Sequence, residues 1–404
     1  MATASSWRTP GVVLAAGTLI LILSFGTRTS FGIFLGPISS DLGWGRESFA
    51  FALALQNLLW GVCQPVAGAI ADRWGAGRVV VVCAVLYVAG LLVMAWSGTP
   101  LGMTMGAGVV IGVALSGTAF PIILAVIGRS VPENKRSLFL GLGAAGGSSG
   151  QLIIVPLAQG LLSSLDWVTA LIWLAVLTSM MVPLAAAMAG RPGGTAEAPA
   201  REQKLGEAVR EAGGHRGFLL LNAGFFVCGF HVMFIATHLP AFITDAGLAP
   251  ALGAAALALV GLGNIVGSFL SGVLGGRYSK RYLLSGLYFA RAVVFLVFVL
   301  TPVTQTSVIV FSLAIGLLWL STVPLTSGLV AQIFGPRYMA TLFGIVFLSH
   351  QIGSFLGAWL GGRLYDMTGS YDIVWWISVV LGIFAALVHL PIDEKPVERL
   401  ATAE

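Results

Sequence analysis

The sequence predicts an all-α membrane protein with twelve transmembrane helices in two pseudo-symmetric six-helix bundles. Three observations carry this. Charged residues are 9% of the 404-residue chain and hydrophobic residues 57%, with a mean hydropathy of +0.95. Soluble proteins carry about 25% charged residues, and a water-facing surface cannot be assembled from so few. Apolar segments of about 20 residues, the length that crosses a bilayer core, recur twelve times along the chain. An interval of 204 residues takes Gly68 to Gly272, Asp41 to Asp245 and Pro132 to Pro336, so the second six segments repeat the first.

Spans 1 to 6 are expected over residues 11–36, 47–70, 77–97, 100–128, 136–164 and 166–190. Spans 7 to 12 are expected over 217–244, 249–276, 280–300, 303–333, 338–362 and 371–391. The chain thus divides into an N-terminal bundle (1–190), a linker (191–216) and a C-terminal bundle (217–404). An even number of spans puts both termini on one side, and the cytoplasmic side is the one richer in Lys and Arg. Of the 21 Lys and Arg residues, 17 fall on the side of the termini; Arg46 and Arg363 fall on the other, and Arg28 and Arg291 lie within spans. Both termini are therefore expected in the cytoplasm. The net charge of +5 reads as a signature of membrane insertion and does not point to nucleic acid. Span 1 is too long for a removable signal peptide and lacks the small-residue cleavage site. Cys63, Cys83 and Cys228 all fall inside spans, which suggests neither a disulfide framework nor a metal cluster. Arginine far outnumbers lysine, and Ala and Gly abound, as in a bacterial chain from a GC-rich genome, so a bacterial inner membrane is the expected location.

Arg28 lies deep in span 1, with eight residues between it and Pro37, a reach of about 12 Å at 1.5 Å per residue. A guanidinium at that depth costs at least a few kcal/mol and is expected to face a cavity or a partner. In span 2, Gln56, Asn57, Trp60 and Gln64 recur at helical spacing, where amides can line a pathway or hold helices together. Span 5 carries a Gly-rich run from Gly141 to Gly150, a small-residue packing face; no strand precedes it, so it is not a phosphate loop. The linker holds five basic and four acidic residues, with room for a short helix from Lys204 to Glu211. In span 7, Gly224, Cys228, His231, Ile235 and His238 share one helical stripe. The repeat sets His231 beside the position answering to Arg28, and the two are expected to face each other near the midplane. Span 8 holds Asn264, Ser268 and Ser271, span 9 holds Arg291, and span 11 holds His350 and Gln351. Span 10 has four hydroxyls around Pro324, able to satisfy the backbone groups that a proline frees or to bind solute.

Between spans 2 and 3 the string GAIADRWGAGR reads as a charged turn. Gly68, Asp72, Arg73, Gly75 and Arg78 fit the pattern G-x-x-x-D-R/K-x-G-x-x-R/K, and a weaker copy, GVLGGRYSKR, runs from Gly272 to Arg281. This loop resembles the one between helices 2 and 3 of the major facilitator superfamily. With the repeat and the span count, the resemblance covers nearly the whole chain. It implies a transporter with the loop acting as a gate latch on the cytoplasmic side. The opening FGIFLGPISSDLGWGRESF (Phe31 to Phe49) and the span 11 strings HQIGS and GGRLYD are similar to bacterial carriers near the monocarboxylate and oxalate/formate group. That nearer resemblance puts His350 and Gln351 on the helix where oxalate carriers place a substrate-binding lysine. Span 5 lacks the Gly-Pro pair of many drug/proton antiporters. Span 8 has Ser268 where monocarboxylate carriers generally have an arginine after Asn-x-x-Gly, so an anion-binding role, if kept, has moved, with Arg28 its natural inheritor.

None of the 16 acidic residues lies mid-span. The interior offers only arginine and histidine, a field that favours a small anion over a cation. The expected function is secondary active transport of a monocarboxylate-like organic anion by alternating access, through proton symport or anion exchange. Arg28 would pair with the carboxylate, His231, His350 or His238 would carry a proton, and Asn57, Trp60, Asn264, Gln351 and Phe31 would complete the site. The expected partners are that anion, a proton or counter-anion, and lipid, with the chain a monomer that needs no cofactor or metal. Export of a neutral or hydrophobic solute is the alternative, with Arg28 then serving an internal pair. A membrane enzyme would need a nucleophile and base, a metal cluster or a P-loop; no HExxH or P-loop string is present, and the one GxSxG string, Gly146 to Gly150, lies inside the Gly-rich run of span 5 with no strand before it. A non-transporting sensor would need an extended soluble domain to relay its signal.

Overall fold

The computed structural model describes residues 8–130, 133–189, 205–335 and 339–397, and every regular element among them is helical. Ten stretches are long and apolar enough to cross a membrane. Span 2 (Arg46–Trp74, 29 residues) and span 5 (Glu133–Ser164, 32 residues) complete the twelve.

Packing repeats as the sequence does. Span 1 lies along span 5 as span 7 lies along span 11; spans 2 and 4 pair as 8 and 10 do, and spans 3 and 6 as 9 and 12 do. The two halves meet along equivalent seams, span 2 on span 11 and span 5 on span 8, with spans 1 and 7 in contact between them. Each half has its own apolar cluster, the first drawn mostly from spans 1 to 6 and the second mostly from spans 7 to 12.

Several elements depart from the sequence expectation, each for a local reason. Span 1 runs Pro10–Leu42, through Pro37, and ends where Gly43 adopts φ 66° and its N–H returns to Ser39 O. A proline inside a long packed helix bends it without ending it. Spans 2 and 3 are parted by Gly75 alone: span 3 (Ala76–Trp96) follows at once, and φ 97° at Gly75 would strain any side chain. The charged turn is therefore a single glycine. Gly68 lies in the body of span 2, Arg78 is exposed in the first turn of span 3, and the side chains of Asp72 and Arg73 lie outside the described residues. Span 4 contains a π-helical stretch, Thr104–Val110, and parts at Ala119 before resuming as Phe120–Arg129. Gln56 Nε2 donates to Ala107 O in that stretch at 2.7 Å, answering a carbonyl that the wider winding displaces. The linker helix is Leu205–Gly214, with Ala208 and Ala212 buried and Ala212 part of the C-terminal apolar cluster.

The other C-terminal spans are span 7 (Arg216–Asp245), span 8 (Pro250–Gly275), span 9 (Lys280–Leu300), span 11 (Met339–Thr368) and span 12 (Asp372–His389). Span 10 is split into Gln305–Leu318 and Thr322–Phe334. The split lies at 319–321, not at Pro324, which occupies the first turn of the second piece where its missing N–H leaves no bond unmade.

Candidate functional site

At mid-span the seam between the halves is polar. Arg28 projects from span 1, and its Nη2 donates to Asn57 Oδ1 of span 2 and, at 2.9 Å, to Met233 Sδ of span 7. Its guanidinium carbon lies 5.2 Å from the Trp60 ring centroid, and its Nε has no partner. Among the described residues no carboxylate bonds to it. Asn57 is fixed on both sides, its Nδ2 donating to Leu53 O at 2.7 Å and its own carbonyl accepting from Gln351 Nε2 of span 11 at 3.1 Å. Gln351 Oε1 lies 3.1 Å from His350 Nδ1, whose ring stacks on Phe347 at 5.5 Å and 5°. Phe347 in turn meets Trp60 edge-on at 5.4 Å. Trp60 Nε1 donates to Gln64 Oε1 at 2.8 Å, and Gln64 Nε2 to Ser116 O at 3.0 Å.

Spans 1 and 7 come so close at Gly32 that a Cβ there would run into the carbonyl of Ala236. Beside this contact lies a cavity of about 10 Å³, lined by Arg28, Thr29, Gln56, Met233 and Thr237 among others. That is near the lower limit for one water.

Of the residues singled out from sequence, Arg28, Asn57, Trp60, His350 and Gln351 come together here from both halves. Four others do not. His231 Nε2 lies 2.9 Å from Ser378 O of span 12, and its ring packs 4.7 Å from Phe295 of span 9. The expected face-to-face pairing of His231 with Arg28 is not what the geometry gives. Met233 is the residue at Arg28, and a residue two positions back points about 200° away around a helix. His238 shares the stripe with His231 as expected, and its nitrogens lie 3.1 Å from Tyr371 OH and 2.7 Å from Ala358 O. Asn264 is engaged with Ser148 Oγ at 3.2 Å and Leu320 N at 3.0 Å. Phe31 is buried in the apolar cluster of the first half. Met233 has no polar signature to mark it. The repeat interval of 204 residues leads from Arg28 to Val232, one position short of Met233.

The end of the bundle opposite the termini is tied shut across the seam. Arg46, first residue of span 2, pairs with both carboxylate oxygens of Asp245 at the end of span 7, at 2.5 and 2.6 Å. It also donates to Tyr371 OH at 3.0 Å and lies 3.9 Å over the Tyr365 ring. Glu47 accepts from Arg363 Nη1 and from Trp359 Nε1, each at 3.0 Å. Asp366 of span 11 accepts the backbone N–H groups of Arg46 and Glu47 at 3.0 and 2.8 Å, so a residue of one half caps a helix N-terminus of the other. Both basic residues that the sequence assigns to this end, Arg46 and Arg363, are used in joining the halves.

Two repeated six-helix bundles, meeting along paired seams with a polar cluster at mid-depth and charged contacts at one end, define an integral membrane transporter. The chain belongs to the Major Facilitator Superfamily, whose sequence profile matches residues 17–358. It is 24% identical over 387 residues to the uncharacterized MFS-type transporter YcxA of Bacillus subtilis, covering 91% of each chain. It is 27% identical over 378 residues to monocarboxylate transporter 11 of Mus musculus, covering 89% of this chain and 82% of that one. Among solved structures, a bacterial homologue of the human lysosomal transporter Spinster, inward-facing and unoccupied, superposes with a TM-score of 0.76 at 16% identity, covering 96% of this chain and 97% of that one. A D-xylose–proton symporter also gives 0.76, at 13% identity, covering 96% of this chain and 99% of that one.

Proposed function

We propose that this transporter carries a small, monocarboxylate-like organic anion by alternating access, as a secondary active carrier working by proton symport or anion exchange. The observation that carries the reading is Arg28: a guanidinium at mid-span, on the seam that both halves build, with a free Nε and no carboxylate among its described partners. A carboxylate entering the seam would take the donors now given to Asn57 and Met233, a stronger, charge-assisted exchange. Trp60 and Phe347 would pack the organic part. Gln351, bonded to Asn57 across the seam, would register occupancy from the other half. His350, held against Gln351, would pass the proton. The resemblance to monocarboxylate transporters supports the substrate class. In this reading residues 1–190 and 217–404 are the rocking units joined by the linker, and the chain works as a monomer. The termini face the cytoplasm of a bacterial cell, and the Arg46 cluster closes the outer end.

The bond from Arg28 to Asn57 favours a second reading, in which the pair is internal and a neutral solute is exported. Uptake of labelled lactate, oxalate and a bulkier aromatic carboxylate into proteoliposomes separates the two. Saturable uptake lost in Arg28→Gln is the expected result, and its response to an inward proton gradient assigns symport or exchange. No uptake of any acid, with a neutral compound still carried by the variant, would establish the second reading.

A further inference from the structure

The split in span 10 is gripped from three neighbouring helices. Its first piece ends at Leu318, and Trp319 follows at φ −55° and ψ −82°. Carbonyls at the end of a helix have no partners within it. Here Leu318 O accepts from Arg291 Nε at 3.0 Å and from Nη2 at 2.5 Å, and Trp319 O accepts from Nη2 as well. From span 8, Asn264 Oδ1 accepts the N–H of Leu320 at 3.0 Å. From span 7, Cys228 Sγ lies 3.3 Å from Thr322 Oγ1. Arg291 is 1% exposed. Its charge is set against the negative end of the first piece's helix dipole, where a cation is stabilised.

The grip also reaches the other half. Asn264 Nδ2 donates to Ser148 Oγ of span 5 at 3.2 Å, across one of the two seams that must change if the halves rock. One amide thus holds the split in span 10 with its oxygen and the opposite half with its nitrogen. A residue serving only to fill space at the split would not need that second bond.

We propose that Arg291 is a positioning residue for transport: it clamps the split in span 10 as a hinge, and Asn264 couples that hinge to the seam between spans 5 and 8. When the seam parts, Asn264 loses Ser148, its hold on Leu320 loosens, and the piece Thr322–Phe334 swings about the carbonyls that Arg291 retains. This rests on the rocking proposed above but not on the nature of the solute.

Hydrogen–deuterium exchange of the full-length protein in detergent, with no solute added, tests it. Arg291→Met should speed exchange at residues 319–326 by about tenfold to a hundredfold, leaving spans 1 to 4 unchanged. Arg291→Lys, which keeps the charge, should rescue part of that protection. Ser148→Ala lies in the other half and removes a single hydroxyl, yet it should speed exchange at the same residues by about threefold to tenfold. A packing role for Arg291 would not respond to that change. Unchanged exchange at the split in Ser148→Ala would overturn the coupling. A rise spread evenly over spans 7 to 12 in both Arg291 variants would overturn the clamp. If Arg291→Met does not fold, the Lys and Ser148 variants decide both points on the same peptide. Because no solute is present, the anion reading can fail while this stands, and the reverse.

Discussion

Arg28 and Arg291 are both arginines inside spans, each with one buried nitrogen lacking a partner and no carboxylate among its described partners, yet they differ in where they lie and in what they meet. Arg291 is enclosed in the second half, and two of its nitrogens meet carbonyls of a broken helix. Arg28 is only partly buried, lies on the seam, and is met by an amide oxygen and a thioether. A thioether is a weak acceptor. Arg291 gives its bonds to two backbone carbonyls, whereas Arg28 gives its own to one amide oxygen and one weak acceptor; under the proposed function that leaves Arg28 the more open to an anion. An intramembrane charge is thus a candidate site according to where it lies and what meets it, on a seam beside weak acceptors or enclosed among backbone carbonyls.

The sharpest way to break this contrast is functional. Arg28→Gln should lower carboxylate uptake about a hundredfold, and Arg28→Lys about tenfold, since an ammonium keeps the charge but loses the planar fork. Equal uptake by Arg28→Lys and wild type would mean that a point charge suffices and that the pairing is not bidentate. The next largest effect is on stability, and it should reverse the ranking of the two sites. Arg291→Met leaves the Leu318 and Trp319 carbonyls without donors and should cost about 2–4 kcal/mol. Arg28→Met removes a poorly partnered, partly buried charge and should change stability by less than about 1 kcal/mol in either direction. Unfolding followed by tryptophan fluorescence in detergent reads both.

The contrast was only half legible in the sequence. The twelve spans, the repeat and the depth of both arginines follow from hydropathy and spacing, because lipid demands long apolar helices and few charges. The loop pattern from Gly68 to Arg78 pointed to the right family. What sequence could not resolve was rotation. A step of 204 in place of 205 moves a side chain by about 100° around its helix, and that single position separates Met233, which touches Arg28, from its neighbours. Nor does hydropathy reveal backbone winding. The π-helical stretch at Thr104–Val110 and the split at 319–321 rest on tertiary partners, Gln56 and Arg291, that supply the displaced carbonyls with donors.

A smaller effect is expected at the end opposite the termini, where the charges are partly exposed and correspondingly weaker. Arg46 alone joins Asp245, Tyr371 and Tyr365, so Arg46→Ala should favour separation of the halves there. A cysteine placed by Ala54→Cys, at a fully buried position in span 2, should then react with an impermeant maleimide about threefold to tenfold faster. An unchanged rate would mean that the Asp366 cap and the Glu47–Arg363 pair hold that end without Arg46.

The finest test sets Met233 against His231, two residues apart on span 7. His231 is bonded to Ser378 O and packed against Phe295, so it belongs to the interior of the second half. Met233 shares the donors of Arg28 and lines the small cavity beside it. Met233→Leu keeps volume and removes the sulfur acceptor, and should alter the apparent affinity for a carboxylate by about twofold to fivefold with little change in maximal rate, since one weak competitor for the guanidinium is gone. His231→Asn retains a donor for Ser378 O and should leave affinity and the pH profile of uptake within about twofold of wild type. A pH profile displaced by His231→Asn and not by His350→Asn would place the proton path behind the seam, in the interior of the second half, and would move the working part of this transporter away from Arg28.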